Sequence, residues 1–421
     1  MKAETAAPML VLRNALLIDG TGAPPNPDRT VIVAEGRIQE IGGPGTKCPG
    51  GAAVADLKGK CLLPGLIDAH THAGNIEIRN SMTAKLPPAV YVLRTCRNLE
   101  TDLQLGFTTL RDAAGLDPGF RDAVQQGLLN GPRLLLSVTP LSQSGGGSRV
   151  QGSGRDRPSP RNSLGICPEV CDGPDEVRAA ARRTLGRGAD QIKVFADGEV
   201  LASQPADRAV PGQWKFSVEE LKAAVDVADA GGTYVMAHVY GPRAIRHCLD
   251  AGVRSIEHGN LLDEETAKMM ADREAYFVPT LTVYDLLLAH GREWGLDDAS
   301  LAKLELVGRQ GRCALELASR AGVKIGSGSD IVGPAQALKG RELAIKAEVL
   351  GPMGAIVSAT RINAELLGIS DRLGTVEPGK LADLIVTAEN PLENIGLFED
   401  GRKNVLMVVK DGKMVKQLNF S

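Results

Sequence analysis

CLLPGLIDAHTH, residues 61–72, is the stretch from which the rest of the chain is read. Its apolar first part is a candidate strand, and Asp68-Ala69-His70-Thr71-His72 closes it. Side chains alternate along a strand, so His70 and His72 project to the same side and two neutral imidazoles converge on one cation. Taken alone, the pair also fits two hydrogen-bonded histidines with no metal.

Outward from this stretch the chain alternates strand and helix. Further candidate strands are 106–113, 133–138, 190–196, 233–238, 254–258, 275–281 and 323–330, with helices at 175–187, 218–230, 241–251, 263–273, 299–321 and 354–367. The helix at 218–230 has the plainest signature. Ser217 and Glu220 form a capping box, Leu221, Ala224, Val225 and Ala228 make one apolar face, and Gly231-Gly232 ends it. Eight strands alternating with helices predict an α/β fold, a (β/α)8 TIM-type barrel over 64–368, with an open doubly wound sheet as the alternative. The two ends of the chain are short, β-rich and turn-punctuated. They predict a small β-sandwich domain composed of 1–63 and 369–421. Residues 142–163, rich in Gly, Ser, Pro and Arg, interrupt this order after the third strand; they read either as a substrate-covering lid or as a mere excursion.

The chain has six histidines, and four of them, His70, His72, His238 and His258, fall at strand ends. Asp330 ends the eighth strand. That is the face on which barrel enzymes carry their chemistry. Lys193, in QIKVF, is a poor residue to bury charged, and as an ammonium it would repel nearby dications. Carboxylation by CO2 would make it an anion with one oxygen for each of two metals; a lysine snorkelling out of the strand end is the plainer reading.

Together, DAHTH (68–72), QIKVFADG (191–198), MAHVYG (236–241), SIEHGN (255–260) and GSGSD (326–330), framed by LPGLID (63–68) and GTVEPGKLADLIV (374–386), resemble the amidohydrolase superfamily. The closer likeness is to the imidazolonepropionase-like branch that includes Xaa-Pro dipeptidase-type carboxypeptidases and ochratoxinase-type amidases. The resemblance implies two divalent metal ions per chain, usually Zn2+. One would be bound by His70, His72 and Asp330, the other by His238 and His258, with a carboxylated Lys193 and a hydroxide as bridges. Asp330 would then be the catalytic base, taking the proton of the attacking water and passing it to the leaving nitrogen. Manganese, cobalt and iron suit the same ligands.

The resemblance further implies that Tyr240 helps hold a substrate carboxylate; Arg243 and His290 are candidates to assist. Arg111-Asp112 reads as a barrel brace, Asp68 as a strand-end hydrogen-bond acceptor and His247 as a packed or surface histidine. One departure stands out. Relatives often carry Gly-Gly-His-Gly after the third strand, where this chain has Ser144-Gly145-Gly146-Gly147-Ser148. The substrate class therefore stays open between an N-acyl amino acid, dipeptide or aryl amide with a free carboxylate and a carbamate or phenylurea. A mononuclear cyclic amidohydrolase or deaminase is a further alternative, but no acid follows His238 in HVYGPR. A non-catalytic scaffold would have lost ligands, and every expected position is filled.

Composition agrees with a soluble small-molecule enzyme. The chain has 421 residues, 43% of them hydrophobic, and a net charge of −3, which points away from nucleic acid or an acidic membrane as the main partner. Seven scattered cysteines without a C-x2-C pair predict reduced thiols and a cytoplasmic setting, and neither a signal peptide nor a membrane span is read. The resemblance adds a homo-oligomer, often an octamer, as the expected assembly.

Overall fold

The computed structural model describes residues 9–78, 80–144, 166–201 and 211–418, which build one mixed and two parallel sheets with helices between them. The mixed sheet joins both ends of the chain. Its order is Lys413–Gln417, Val405–Lys410, Leu384–Thr387, Cys61–Pro64, Leu10–Leu17, Asn26–Ala34 and Arg37–Gly42, with Ala53–Asp56 also paired to Leu10–Leu17. Leu384, Val386, Met407 and Val409 pack with Leu10, Leu12, Val31 and Val33. Ile385 and Val408, which alternate with them, and Val405, beyond a shift in the ladder register, enter a different core, with Leu66, Leu103 and Phe107. A strand covered on both faces needs apolar residues at every position, which explains the unbroken LIVT and VLMVV runs. Hydrogen bonding links these eight strands into one sheet.

The opening stretch divides at Gly65. Cys61–Pro64 stays in the mixed sheet, parallel to Leu10–Leu17 and antiparallel to Leu384–Thr387. Leu66–Thr71 leaves it to pair with Phe107–Asp112. Gly65 lies so close to Thr108 that a Cβ there would collide with its side chain.

Leu66–Thr71, Phe107–Asp112 and Arg133–Leu136 form a three-stranded parallel sheet. The second parallel sheet runs Glu169–Val170, Leu141–Ser142, Ile192–Phe195, Val235–Val239, Ser255–His258, Tyr276–Val278 and Lys324–Ile325. Backbone hydrogen bonds connect the two sheets on both flanks. Ala69 N–H donates to Ser327 O (2.8 Å) and Asp330 N–H to His70 O (2.8 Å); on the other side Asp190 N–H donates to Leu136 O (2.7 Å). Each of the eight expected strands thus has a counterpart.

The helices agree less evenly. The capping box of Ser217 and Glu220 is present in full. The helix expected at 299–321 is two, Asp298–Gly308 and Gly311–Arg320. Gly311 passes so near Leu281 and Asn260 that a Cβ would sit 2.6 Å and 3.1 Å from them. The expected 354–367 helix is the end of a longer path: Arg341–Val357, kinked at Gly351, then a π-helical turn at Ser358–Ile362 and Asn363–Leu366. The seventh strand ends at Val278, and Leu281–His290 is a helix. The segment read as a lid or excursion lies, from residue 145 to its end, outside the described residues, and so do Gly145 to Ser148.

Candidate metal centre

The site assembles at the C-terminal ends of the parallel strands. His70 and His72 share a face as alternation requires, with ring centroids 5.4 Å apart. Their Nδ1 atoms point away from the centre, to Glu257 Oε2 (2.6 Å) and Ala114 O (3.1 Å). Their Nε2 atoms both face Asp330 Oδ1, at 3.4 Å and 3.3 Å. His238 and His258 follow on neighbouring strands, rings 4.4 Å apart. His70, His258 and Asp330 bring ligand atoms within 4.8 Å of one another.

His258 reaches this cluster through its backbone. In a regular strand it would point to the face opposite Glu257. Its φ of +74° breaks the pleat. Asp330 is also left-handed, at φ +52°. Such conformations in residues other than glycine are uncommon and gather at functional sites.

Electrostatics favours a cation here. Burial, reinforced by the Lys193 charge, holds His70 and His238 well below the usual imidazole range; burial and the neighbouring His238 do the same for His258. Neutral imidazoles are the form that ligates metal. For His72 burial pulls the same way, but the hydrogen bond and charge of Asp330 outweigh it and raise the pKa. Nε2 of His70 and of His238 are buried without a hydrogen-bond partner. Unpartnered imidazole nitrogens around a carboxylate are a donor set that fits a divalent ion.

Lys193 lies among these groups, 1% exposed. It forms no ion pair or hydrogen bond among the described residues, and burial lowers its pKa to about 8. Its side chain stays inside and does not snorkel outward.

Tyr240 joins the cluster, its ring 4.8 Å from His238 and 5.5 Å from His258. Two other candidates lie elsewhere. Arg243 is exposed on the helix Pro242–Ala251 and stacks on Trp214 at 5.0 Å. His290 ends the helix Leu281–His290, stacked on Trp294 and 3.5 Å from Glu293. Neither is brought to the histidines, because each sits on a helix that carries it to the surface.

Two supporting residues, Glu257 and Asp197, escaped the sequence reading. Glu257 is fully buried and accepts from His70 Nδ1 and from Arg111 Nη2 (2.8 Å). It fixes the His70 tautomer that leaves Nε2 free, while Arg111 braces the strands as expected. A carboxylate inside an apolar strand is as costly as Lys193, so the same reasoning would have found it. Asp197 Oδ2 accepts from Tyr240 N–H (2.7 Å), Gly241 N–H (3.0 Å) and Gly212 N–H (3.1 Å), tying two strand-end loops together. Asp68 accepts from Ser329 N–H (3.0 Å) and Oγ (2.6 Å), the acceptor role expected of it.

The amidohydrolase family profile matches residues 61–415. Ochratoxinase of Aspergillus niger is 34% identical over 371 residues, which span 84% of this chain and 75% of that protein. Its crystal structure superposes with a TM-score of 0.87 at 30% identity, covering 99% and 97% of the two chains. A prolidase crystallised with N-methylphosphonate-L-proline gives a TM-score of 0.92 at 38% identity, covering 97% of this chain and 100% of that one. A Xaa-Pro dipeptidase with methionine bound in its active site gives 0.87 at 30%, with the same coverage.

Proposed function

The chain belongs to the amidohydrolase family, in the branch of ochratoxinase and the Xaa-Pro dipeptidases, and is a metal-dependent hydrolase of amide carbon–nitrogen bonds; from that premise we propose that it cleaves an N-acyl amino acid or dipeptide whose free carboxylate is held beside the scissile bond. The observation that carries this reading is the Tyr240 phenol, buried against His238 and His258. The ligand of the prolidase relative, a phosphonate of proline, favours the same class.

In this reading the site takes two divalent cations, zinc first among them. His70, His72 and Asp330 would hold one, His238 and His258 the other. A Lys193 carboxylated on Nζ would serve both; its burial with no ion pair or hydrogen bond among the described residues supports that modification. When bound, such ions supply Lewis acidity and lower the pKa of water toward neutrality. Asp330 accepts the proton of the attacking water and returns it to the leaving nitrogen. The carbonyl carbon gains the oxygen, the carbon–nitrogen bond breaks, and an acid and an amine leave. Glu257 and Ala114 O hold the two DAHTH imidazoles in one tautomer throughout. We read the two parallel sheets, apart from the two-residue strands Leu141–Ser142 and Glu169–Val170, as one eight-stranded barrel over 64–368, with 1–63 and 369–421 as its companion domain.

The test compares N-benzoyl-L-phenylalanine and Ala-Pro with their C-terminal carboxamides. At least one free acid should be hydrolysed with kcat/KM about 10-fold or more above its amide, the worth of one good polar contact. Equal values would remove the carboxylate claim. Metal analysis returning one ion per chain would remove the binuclear one.

A further inference from the structure

Tyr284 has no part in the mechanism above, yet its hydroxyl donates to the hydroxyl of Tyr240 at 3.1 Å, and both phenols are buried. Behind it stands Thr280. Thr280 Oγ1 lies 2.8 Å from His258 Nδ1, and its hydroxyl also acts on Tyr284, whose phenol pKa it lowers against the effect of burial.

Thr280 is unusual twice over. It is β-branched and left-handed, with φ +40°, a conformation such residues rarely take. It also holds the N-cap position of the helix Leu281–His290, where a threonine hydroxyl ordinarily accepts from its own helix. Here it makes no such cap. The buried Glu342 replaces it, accepting from Leu281 N–H (3.1 Å) and Thr282 N–H (2.7 Å). The Thr280 hydroxyl is thereby released for the ring on one side and the phenol on the other.

The direction of these bonds follows from donor and acceptor inventory. A His258 that offers the lone pair of Nε2 to a cation must carry its proton on Nδ1, so Nδ1–H donates to Thr280 Oγ1. The Thr280 proton then goes to Tyr284 Oη, and the Tyr284 proton to Tyr240 Oη. One proton is left over, that of Tyr240, whose ring lies beside those of His238 and His258.

We propose that Thr280 and Tyr284 are positioning residues, a one-directional hydrogen-bond relay from His258 that makes Tyr240 present its hydroxyl proton to an oxygen of the substrate carboxylate. This rests on the carboxylate reading above. Burial keeps both phenols neutral, in agreement. A relay of this polarity admits an acceptor and disfavours a carboxamide that turns its N–H2 toward Tyr240.

Tyr284→Phe keeps the ring and removes the relay. With N-benzoyl-L-phenylalanine as probe, KM should rise about 10-fold while kcat falls by less than about 3-fold, and the preference for the acid over its carboxamide should shrink about 10-fold. Calorimetric binding of the product L-phenylalanine should weaken by the same factor. Thr280→Val should reproduce the change, and Thr280→Ser, which keeps the hydroxyl, should restore the wild-type ratio. Wild-type KM and preference in Tyr284→Phe, with preference lost in Tyr240→Phe, would overturn the relay alone. An equal loss of kcat for acid and amide at constant KM would also overturn it, as a purely structural effect. Preference kept in both variants would overturn the carboxylate reading itself.

Discussion

Lys193 and Lys339 are both buried amines, and they are provided for in opposite ways. Lys339 lies behind the first parallel strand with its Nζ 2.7 Å from Asp102, 3.4 Å from Asp68 and 3.4 Å from Thr71 Oγ1. Burial works against its charge, but the two carboxylates raise its pKa above the ordinary lysine value. Lys193 suffers the same burial among four histidines; among the described residues no carboxylate forms an ion pair with it, burial outweighs the more distant charges of Glu257 and Asp330, and its pKa drops to about 8. A buried charge survives when paired; a buried amine left unpaired has another use. The paired lysine is also structural in a directed way. Asp68, which it neutralises, grips Ser329, the residue before Asp330.

The contrast can be broken most directly at the mouth. Lys193→Ala should lose at least about 1000-fold in kcat/KM, roughly 4 kcal/mol of barrier, together with bound metal. Propionate plus zinc should rescue it in part, and full activity without rescue would sink the assignment. Lys339→Met should instead unfold more easily, by about 3–5 kcal/mol in urea titration at pH 8, because two carboxylates lose their partner. Burial already lifts Asp102 to about 6. In the variant it is lifted further, so stability is kept at low pH and lost as pH rises through that value. The deficit should accordingly be smaller at pH 5 than at pH 8, and a deficit independent of pH would argue against the pairing. Glu257→Gln lies between the two kinds of effect: metal affinity, by chelator competition, should fall about 10- to 100-fold. The smallest changes belong to Arg243→Ala and His290→Ala. Both side chains stand on the surface, and kcat/KM should stay within about 2-fold of wild type; a 10-fold loss in either would restore it to the substrate site.

Most of the centre was legible because its residues break the rules of their surroundings. Imidazoles at strand ends and an amine inside QIKVF have no packing reason to be there. Tyr240 was reached through the HVYG likeness. What escaped was set by contacts distant in sequence or by single backbone angles. An apolar run through Gly65 reads as one strand, since nothing local announces that Cys61–Pro64 pairs with Leu384–Thr387. The run from Tyr276 to Leu288 is apolar almost throughout, so periodicity does not distinguish strand from helix there. The turn between them depends on the φ of Thr280 and on Glu342, some 60 residues later. Arg243 and His290 were placed by their distance from motif residues along the chain, and one turn of helix is enough to carry such a side chain away.

The pairing of Cys61–Pro64 with Leu384–Thr387 has a consequence for the order of events at the ribosome. The strand that leads directly into DAHTH cannot find its antiparallel neighbour until more than 300 further residues have been made. Its early partner is Leu10–Leu17. Contacts of such long range form slowly and leave an unpaired edge exposed while they wait. A nascent chain should therefore recruit holding chaperones until residue 387 has emerged, and histidines presented early would be positioned only once that last seam closes.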